Sequence, residues 1–323
     1  MIISASRRTD IPAFYSEWFM NRIKEGYLIS RNGSYMSNNL YKVLLTPDIV
    51  DCIAFWTKNP IPMLPRLDEL KDYMYYFQFT LTGYGRDIEH NIPDKPTVII
   101  PAFQELSSKI GPDRVIWRYD PILISDKYSV EYHFEAFSQI AERLNGYTKK
   151  CVFSFIDKYY WINESMRKLG VKEISDEVMR DISIKIRDIA KDNGMVVATC
   201  AEGIDLDELG IGHNACIDKE LIEKLTGGKI KELKKYLEHT GQREACRCVI
   251  SKETGTRNTC KNGCVYCYAN DSEKKLMDNI SKYDPNSPIL CDVIGPDEVV
   301  KDASDMKSIV IKDSQMSIFD FKE

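Results

Sequence analysis

The sequence predicts an α/β fold: a closed or nearly closed (β/α)8 barrel, TIM-barrel-like, with a doubly wound open sheet as the alternative. Three observations lead there. Short apolar runs alternate with helical stretches seven or eight times along 323 residues, the pattern of a parallel sheet covered by helices. That count and length suit one eight-unit barrel. Six of the runs end in charged residues, where barrels of this kind carry their reactive side chains.

The elements follow in order. Met1–Ala5 is a strand, and SRRTDIP leads from it into a helix with Pro12 in its first turn, running to about Glu25 and stopping at Gly26. Asp51–Trp56 is the second strand, ending in TKNP. Met63, Leu67 and Leu70 fall on one helical face. Tyr75–Leu81 is aromatic and Thr-rich, a strand by propensity. Phe103, Leu106 and Ile110 mark a helix that stops at Gly111, and Val115–Tyr119 is a strand leading into Asp120–Pro121. Ser129 is an N-cap candidate for a helix with Val130, Phe134, Phe137, Ala141 and Leu144 on one face. Cys151–Ile156 is the next strand. Ser175 caps a helix striped by Ile182, Ile186 and Ile189, and Met195–Cys200 follows as a strand. His213–Ile217 is a seventh strand. Leu221–Leu225 and Ile230–Leu237 are helical, broken at Gly227–Gly228, and Ile289–Ile294 is the eighth strand. Residues 1–300 read as one domain and 301–323 as a flexible tail.

The strand ends carry Arg7, Arg8 and Asp10; Lys58 and Asn59; Arg118 and Asp120; Asp157; Glu202; and Asp218. Guanidinium groups grip carboxylate or phosphate through two parallel hydrogen bonds. An anionic or highly polar substrate is therefore expected, with Arg7, Arg8, Asp10, Lys58, Arg118 and Asp120 as the catalytic set. Lys58 and Asn59 are also placed to meet a base or ribose. The competing reading of each charge is a loop salt bridge or a helix cap.

Composition narrows the class. The net charge of −5 gives no global field for non-specific nucleic-acid binding. The start MIISASRRTD lacks the basic-then-apolar layout of a signal peptide, and no apolar run approaches the roughly 18 residues of a membrane span. A cytoplasmic protein is expected. Ten cysteines in a reducing compartment point to metal or redox chemistry rather than crosslinks.

Five of those cysteines lie in Cys246–Asn270, CRCVISKETGTRNTCKNGCVYCYAN. Cys260, Cys264 and Cys267 have the spacing Cys-x3-Cys-x2-Cys, with Tyr266 before the last. Three thiolates this close can hold one face of a 4Fe–4S cube, which has four irons to ligate. Clustered thiolates also bind zinc, though usually as Cys-x2-Cys pairs. This motif resembles the cluster motif of radical S-adenosylmethionine (SAM) enzymes, and YCYAN is similar to the spore photoproduct lyase branch of that superfamily. The resemblance implies a 4Fe–4S cluster with one open iron that binds SAM. It further implies reductive cleavage of SAM to a 5′-deoxyadenosyl radical and an electron donor such as flavodoxin or ferredoxin. Tyr266, Asn59 and Glu202 are the expected cofactor contacts. The chain departs from the superfamily in two ways. Its motif lies near the C-terminus, and the Gly-Gly-Glu segment is missing, since Gly227–Gly228 is followed by Lys229. The wider pattern of SRRTD (Ser6–Asp10), FWTKNP (Phe55–Pro60), RYDP (Arg118–Pro121), CAE (Cys200–Glu202) and the Cys-rich segment resembles a bacterial family of unknown function.

A second cysteine group is expected from the topology. Cys200 and Cys216 end neighbouring strands, about 4.8 Å apart, and Cys246 and Cys248 precede the triplet. Together they make four ligands for an auxiliary 4Fe–4S cluster or a structural zinc; the alternative is unrelated buried thiols. Cys52, Cys151 and Cys291 read as core. The four histidines show no metal-binding pairing. Gln315–Phe319, QMSIF, resembles the peptide with which bacterial DNA-processing proteins bind the sliding clamp. Two other functions stay open: a zinc-stabilised barrel hydrolase or lyase, and a non-catalytic DNA-associated adaptor.

Overall fold

A computed structural model describes residues 1–31, 39–157, 159–233, 237, 243, 245–302 and 306–312. In chain order the strands are β1 Ile2–Ala5, β2 Tyr27–Arg31, β3 Leu40–Leu44, β4 Cys52–Thr57, β5 Tyr75–Thr80, β6 Val115–Ile122 and β7 Lys150–Phe155. They continue with β8 Val196–Thr199, β9 Gly212–His213, β10 Gly228–Ile230, β11 Lys252–Glu253, β12 Val300–Asp302 and β13 Val310–Lys312. Eight of them form one sheet in the order β11-β1-β4-β5-β6-β7-β8-β9. Every pair in it is parallel.

Sheet strands read as nearly continuous apolar runs because both faces are covered. Alternation still sorts their side chains. Ile3, Ile53, Phe55, Phe77, Trp117 and Phe153 join the helical residues Trp18, Phe19, Phe103, Phe137, Ile182 and Ile186 in one core. Ile2, Cys52, Ala54, Tyr76, Ile116 and Val152 point the other way into a second core with Cys200, Cys216 and Cys248. This inner face is concave. Tyr76 and Gln78 of β5, Arg118 of β6 and Cys200 after β8 all meet Cys216, and Ile217 meets Cys248 on the way into β11. A flat sheet would spread β5 and β9 about 19 Å apart.

The sheet is wound as expected, each strand beside its predecessor and the last one back against β1. Closure is the point of difference. Among the described residues no ladder joins β9 to β11, and one backbone bond, Val249 N–H to Ile217 O at 3.1 Å, spans the seam. A closed barrel is therefore not formed by the hydrogen-bonded sheet. The eighth strand is Lys252–Glu253 rather than Ile289–Ile294. In the latter, Ile289 makes a single bridge to Ile29 and Cys291 takes a φ of 49°, which breaks an extended run. The seventh strand covers only Gly212–His213, because the chain then turns inward and Ile217 is buried in the inner core.

The helices form where periodicity and caps place them. Ser129 Oγ accepts from Tyr132 N–H to start the helix Val130–Leu144, and Ser175 Oγ accepts from Val178 N–H to start the helix Asp176–Asp192. The first helical stretch is split into Ile11–Phe14, capped by Asp10, and Ser16–Glu25, which ends at Gly26 with φ 76°. Ile230 is in a strand, not a helix: β10 pairs antiparallel with β13. Sequence reading passed over β2 and β3, which pair antiparallel, with β12 alongside β3. Of the stretch expected as a tail, β12 and β13 are strands, and Gln315–Phe319 lies outside the described residues. Among the described residues no helix is long and apolar enough to cross a membrane.

Candidate metal centre at the carboxyl end of the sheet

The loop holding Cys260, Cys264 and Cys267 is tied down over the carboxyl ends of the strands. Thr254 N–H bonds Ser4 O at 3.0 Å as the loop begins. Tyr15 Oη donates to Thr259 O at 2.6 Å. Asn262 Nδ2 reaches Asp10 at 3.0 Å, and Asn91 N–H bonds Asn262 O at 3.1 Å. Val265 N–H bonds Ile88 O at 3.0 Å, Trp161 Nε1 bonds Cys267 O at 3.2 Å, and Tyr268 Oη bonds Arg7 O at 2.5 Å. Gly263 takes φ +67° between two of the cysteines, and a Cβ there would come 2.9 Å from Asn91 Nδ2. Glycine is required by both the backbone and the space.

Beneath the loop is a buried charge cluster. Lys58 Nζ lies 2.7 Å from Glu89 Oε1 and 2.8 Å from Tyr266 Oη. Tyr266 Oη also bonds Glu89, whose second oxygen pairs with Lys95. Glu89 is 2% exposed. Burial pushes its carboxyl pKa up, but Lys58 and Lys95 outweigh this and bring it down to about 2. Burial also works against the Lys58 cation, yet Glu89 and the Cys264 sulfur hold its pKa above the ordinary lysine value.

The three thiols are all pushed up by burial. Cys260 reaches about 12, with Cys267 and Asp10 adding to the shift, and Cys264 is raised further by Glu89, Cys267 and Cys260. Such a donor set stays protonated alone and ionises when a cation takes the protons' place. Three thiols on one loop fit a metal centre that leaves one position for another ligand. Among the described residues no three cysteine sulfurs lie within 4.8 Å of one another. A single tetrahedral zinc needs them about 3.8 Å apart, so it would have to draw the loop inward.

The strand-end residues divide by what they already hold. Asp10 is buried and accepts from Ala13 N–H, Lys58 N–H and Asn262 Nδ2; it clamps three segments together. Arg118 pairs with Asp120 and gives Nη1 to Gln78 and to Cys216 Sγ at 3.0 Å. Arg7 lies 3.6 Å from Glu253 and over Trp56. Arg8 differs: its backbone N–H bonds Ser6 Oγ, and its guanidinium has no partner among the described residues. Asn59 Oδ1 accepts from Ile61 N–H in a local turn. Glu202 accepts from Phe155 N–H at 2.9 Å, and burial raises its pKa to about 7. Asp157 pairs with Arg243. Asp218 belongs to the opposite end: it caps the helix Lys219–Thr226 and reaches Lys150 at the start of β7.

The second cysteine group comes together in pairs. Cys200 Sγ lies 3.3 Å from Cys216 Sγ, and Ile217 N–H points at Cys248 Sγ at 3.3 Å. Cys246 is close enough to Cys248 for a sulfur hydrogen bond, which helps lower its pKa to about 7.

The profile of the family described as Domain of unknown function (DUF1848) matches residues 2–269. The chain belongs to this family. No curated protein matches it. The DUF1848 match runs from β1 through Cys267, so both cysteine groups and the Lys58–Glu89 cluster lie inside the family's own domain. Glu89 and Lys95 were missed in the sequence. The only signal was position: the loop after Tyr75–Thr80 is also a carboxyl-end loop, but its charges RDIEH look like ordinary surface residues.

Proposed function

We propose that the chain is an iron–sulfur enzyme of the radical SAM type acting on a polar or anionic substrate. One observation carries the reading: three half-buried thiols share one loop, seated at the carboxyl end of a parallel sheet beside the Lys58–Glu89 pair and Arg8, whose guanidinium has no partner among the described residues. Cys260, Cys264 and Cys267 would hold a 4Fe–4S cluster. That cluster would supply the electron that cleaves SAM to methionine and a 5′-deoxyadenosyl radical, drawn from a donor such as flavodoxin or ferredoxin.

The chain's own residues have separate tasks. Lys58 and Lys95 share one carboxylate, Glu89. Their cluster therefore carries a net positive charge, which offsets thiolate charge in a setting of low dielectric. Asp10 keeps the cysteine loop against β1 and β4. Arg8, with no guanidinium partner among the described residues, would grip a carboxylate, either that of SAM or one on the substrate. The Tyr266 ring walls the site without giving up its hydroxyl, which Lys58 and Glu89 hold.

The test is metal analysis of protein purified and reconstituted without oxygen, followed by reduction in the presence of SAM. Iron and sulfide, absorption near roughly 400 nm and release of 5′-deoxyadenosine are expected; in Cys264→Ala the 5′-deoxyadenosine should be lost and the iron content should fall by about four per chain. Full iron retention by that variant, or iron without SAM cleavage, overturns the proposal. Zinc with no iron would turn attention to hydrolysis or lysis at the charged strand ends.

A further inference from the structure

Outside the Cys260–Cys267 loop, the surroundings of Cys52 contrast with those of Cys216 and Cys248. Cys52 is an ordinary core thiol: its Sγ faces the Ile53 carbonyl at 4.0 Å, as an S–H donor does. Cys216 and Cys248 face the other way round. Arg118 Nη1 points at Cys216 Sγ from 3.0 Å and Asn214 Nδ2 from 3.8 Å, while the Ile217 N–H points at Cys248 Sγ from 3.3 Å. Guanidinium and backbone N–H are donors only. Sulfurs faced by donors are placed as acceptors, the role a metal-bound thiolate has and that N–H···S bonds support.

Their placement adds a second argument. Cys200 follows β8, Cys216 follows β9, and Cys246 and Cys248 lie two apart on the segment entering β11. In extended chain that spacing puts both side chains on one side. The four thiols therefore bracket the seam where, among the described residues, β9 and β11 share no ladder. Cys200, Cys216 and Cys248 are buried in the inner core. Arg118 and Arg7 supply positive charge beside them: Arg118 through its contact with Cys216, Arg7 over Trp56 of the same inner face.

We infer that Cys200, Cys216, Cys246 and Cys248 form a second, all-cysteine metal centre, distinct from the Cys260, Cys264 and Cys267 loop, which staples the sheet across its open seam. The ligand is a thiophilic metal, either a 4Fe–4S cluster or a single zinc ion; binding releases the thiol protons. The centre stands independently of the proposed SAM chemistry, because its ligands, its seam and its readout are its own.

Metal analysis of the full chain, purified without oxygen, tests it. The intact protein should hold either about eight irons with sulfide, or about four irons and one zinc. A Cys260→Ser/Cys264→Ser/Cys267→Ser protein should keep the second metal, about four irons or about one zinc, and adding Cys216→Ser should lower that content at least tenfold. Cys246→Ser, at a less buried position, should do the same if Cys216→Ser fails to fold. A Cys260→Ser/Cys264→Ser/Cys267→Ser protein that holds neither iron nor zinc overturns the inference. So does a Cys200–Cys216 disulfide found by peptide mass spectrometry after anaerobic alkylation. Loss of SAM cleavage with the second metal retained would count against the proposed function alone.

Discussion

The Lys58 ammonium and the Glu89 carboxylate meet at 2.7 Å, 31 positions apart in sequence, with Glu89 almost wholly withdrawn from solvent. A carboxylate there is tolerable only because two lysines and a tyrosine hydroxyl surround it. Buried pairs add little net stability over an apolar substitute, but removing one partner strands the others. Glu89→Gln leaves two cations facing an amide. A loss of roughly 3–5 kcal/mol in urea unfolding is expected.

The acid side of the same pair has a definite sign. The folded pKa of Glu89 is depressed to about 2, so its stabilisation is present above the unfolded value of roughly 4.3 and is lost as pH falls from there through the folded value. The stability gap between the wild-type protein and Glu89→Gln should therefore narrow as pH drops through that window. A gap that stays constant would mean the carboxylate is not the group that matters.

Glu202 has the opposite sign. Burial raises its pKa from 4.5 to about 7, so the folded chain holds the proton more tightly than the unfolded one. Stability is lost as pH rises through that interval, and the whole cost is present above it. Glu202→Gln keeps an oxygen for the Phe155 N–H and never ionises. It should be more stable than the wild-type protein by about 2–3 kcal/mol near roughly pH 8 and equal to it near roughly pH 4. Parity at both values would show that Glu202 is well solvated.

How far the sequence could be read depended on the range of each interaction. Ser129, Ser175 and Gly26 were legible because caps act within a turn. Most sheet strands were legible as apolar runs, and the parallel arrangement from their alternation with helices. The eighth strand was not: Lys252–Glu253 is two polar residues, held by Ser4 Oγ on Glu253 and by the ladder to β1, whereas Ile289–Ile294 looks like a strand and is bent at Cys291. The cysteine groups could be named from spacing and topology. Glu89 could not, since two of its three partners, Lys58 and Tyr266, lie 31 and 177 residues away.

Arg8 separates binding from folding. Its guanidinium holds nothing among the described residues, so Arg8→Ala should change unfolding free energy by no more than about 0.5 kcal/mol. Under the proposed function it should weaken SAM or substrate binding about tenfold, the loss of roughly one charge-assisted hydrogen bond. Arg8→Lys should recover only part, because an ammonium cannot make the two-pronged contact. Unchanged binding in both variants would remove Arg8 from the site.

Gly255 marks where the cysteine loop lies closest to the turn after β1. A Cβ there would fall 2.0 Å from Ser6 Oγ, 2.6 Å from Ser6 Cβ and 3.1 Å from Thr9 Cγ2. The preceding residue cannot yield easily, because Thr254 gives both its N–H and its hydroxyl to Ser4 O. Gly255→Ala must push the loop entry off β1. A cost of about 1–3 kcal/mol is expected, along with weaker iron retention through the displaced Cys260. Ser6→Gly removes the two shortest contacts and should recover more than half of that loss when combined with Gly255→Ala, although alone it forfeits the Ser6 Oγ bond to Arg8 N–H. Such a rescue is the non-additivity of residues in contact. Strictly additive losses in the double variant would place the strain somewhere other than between these two backbones.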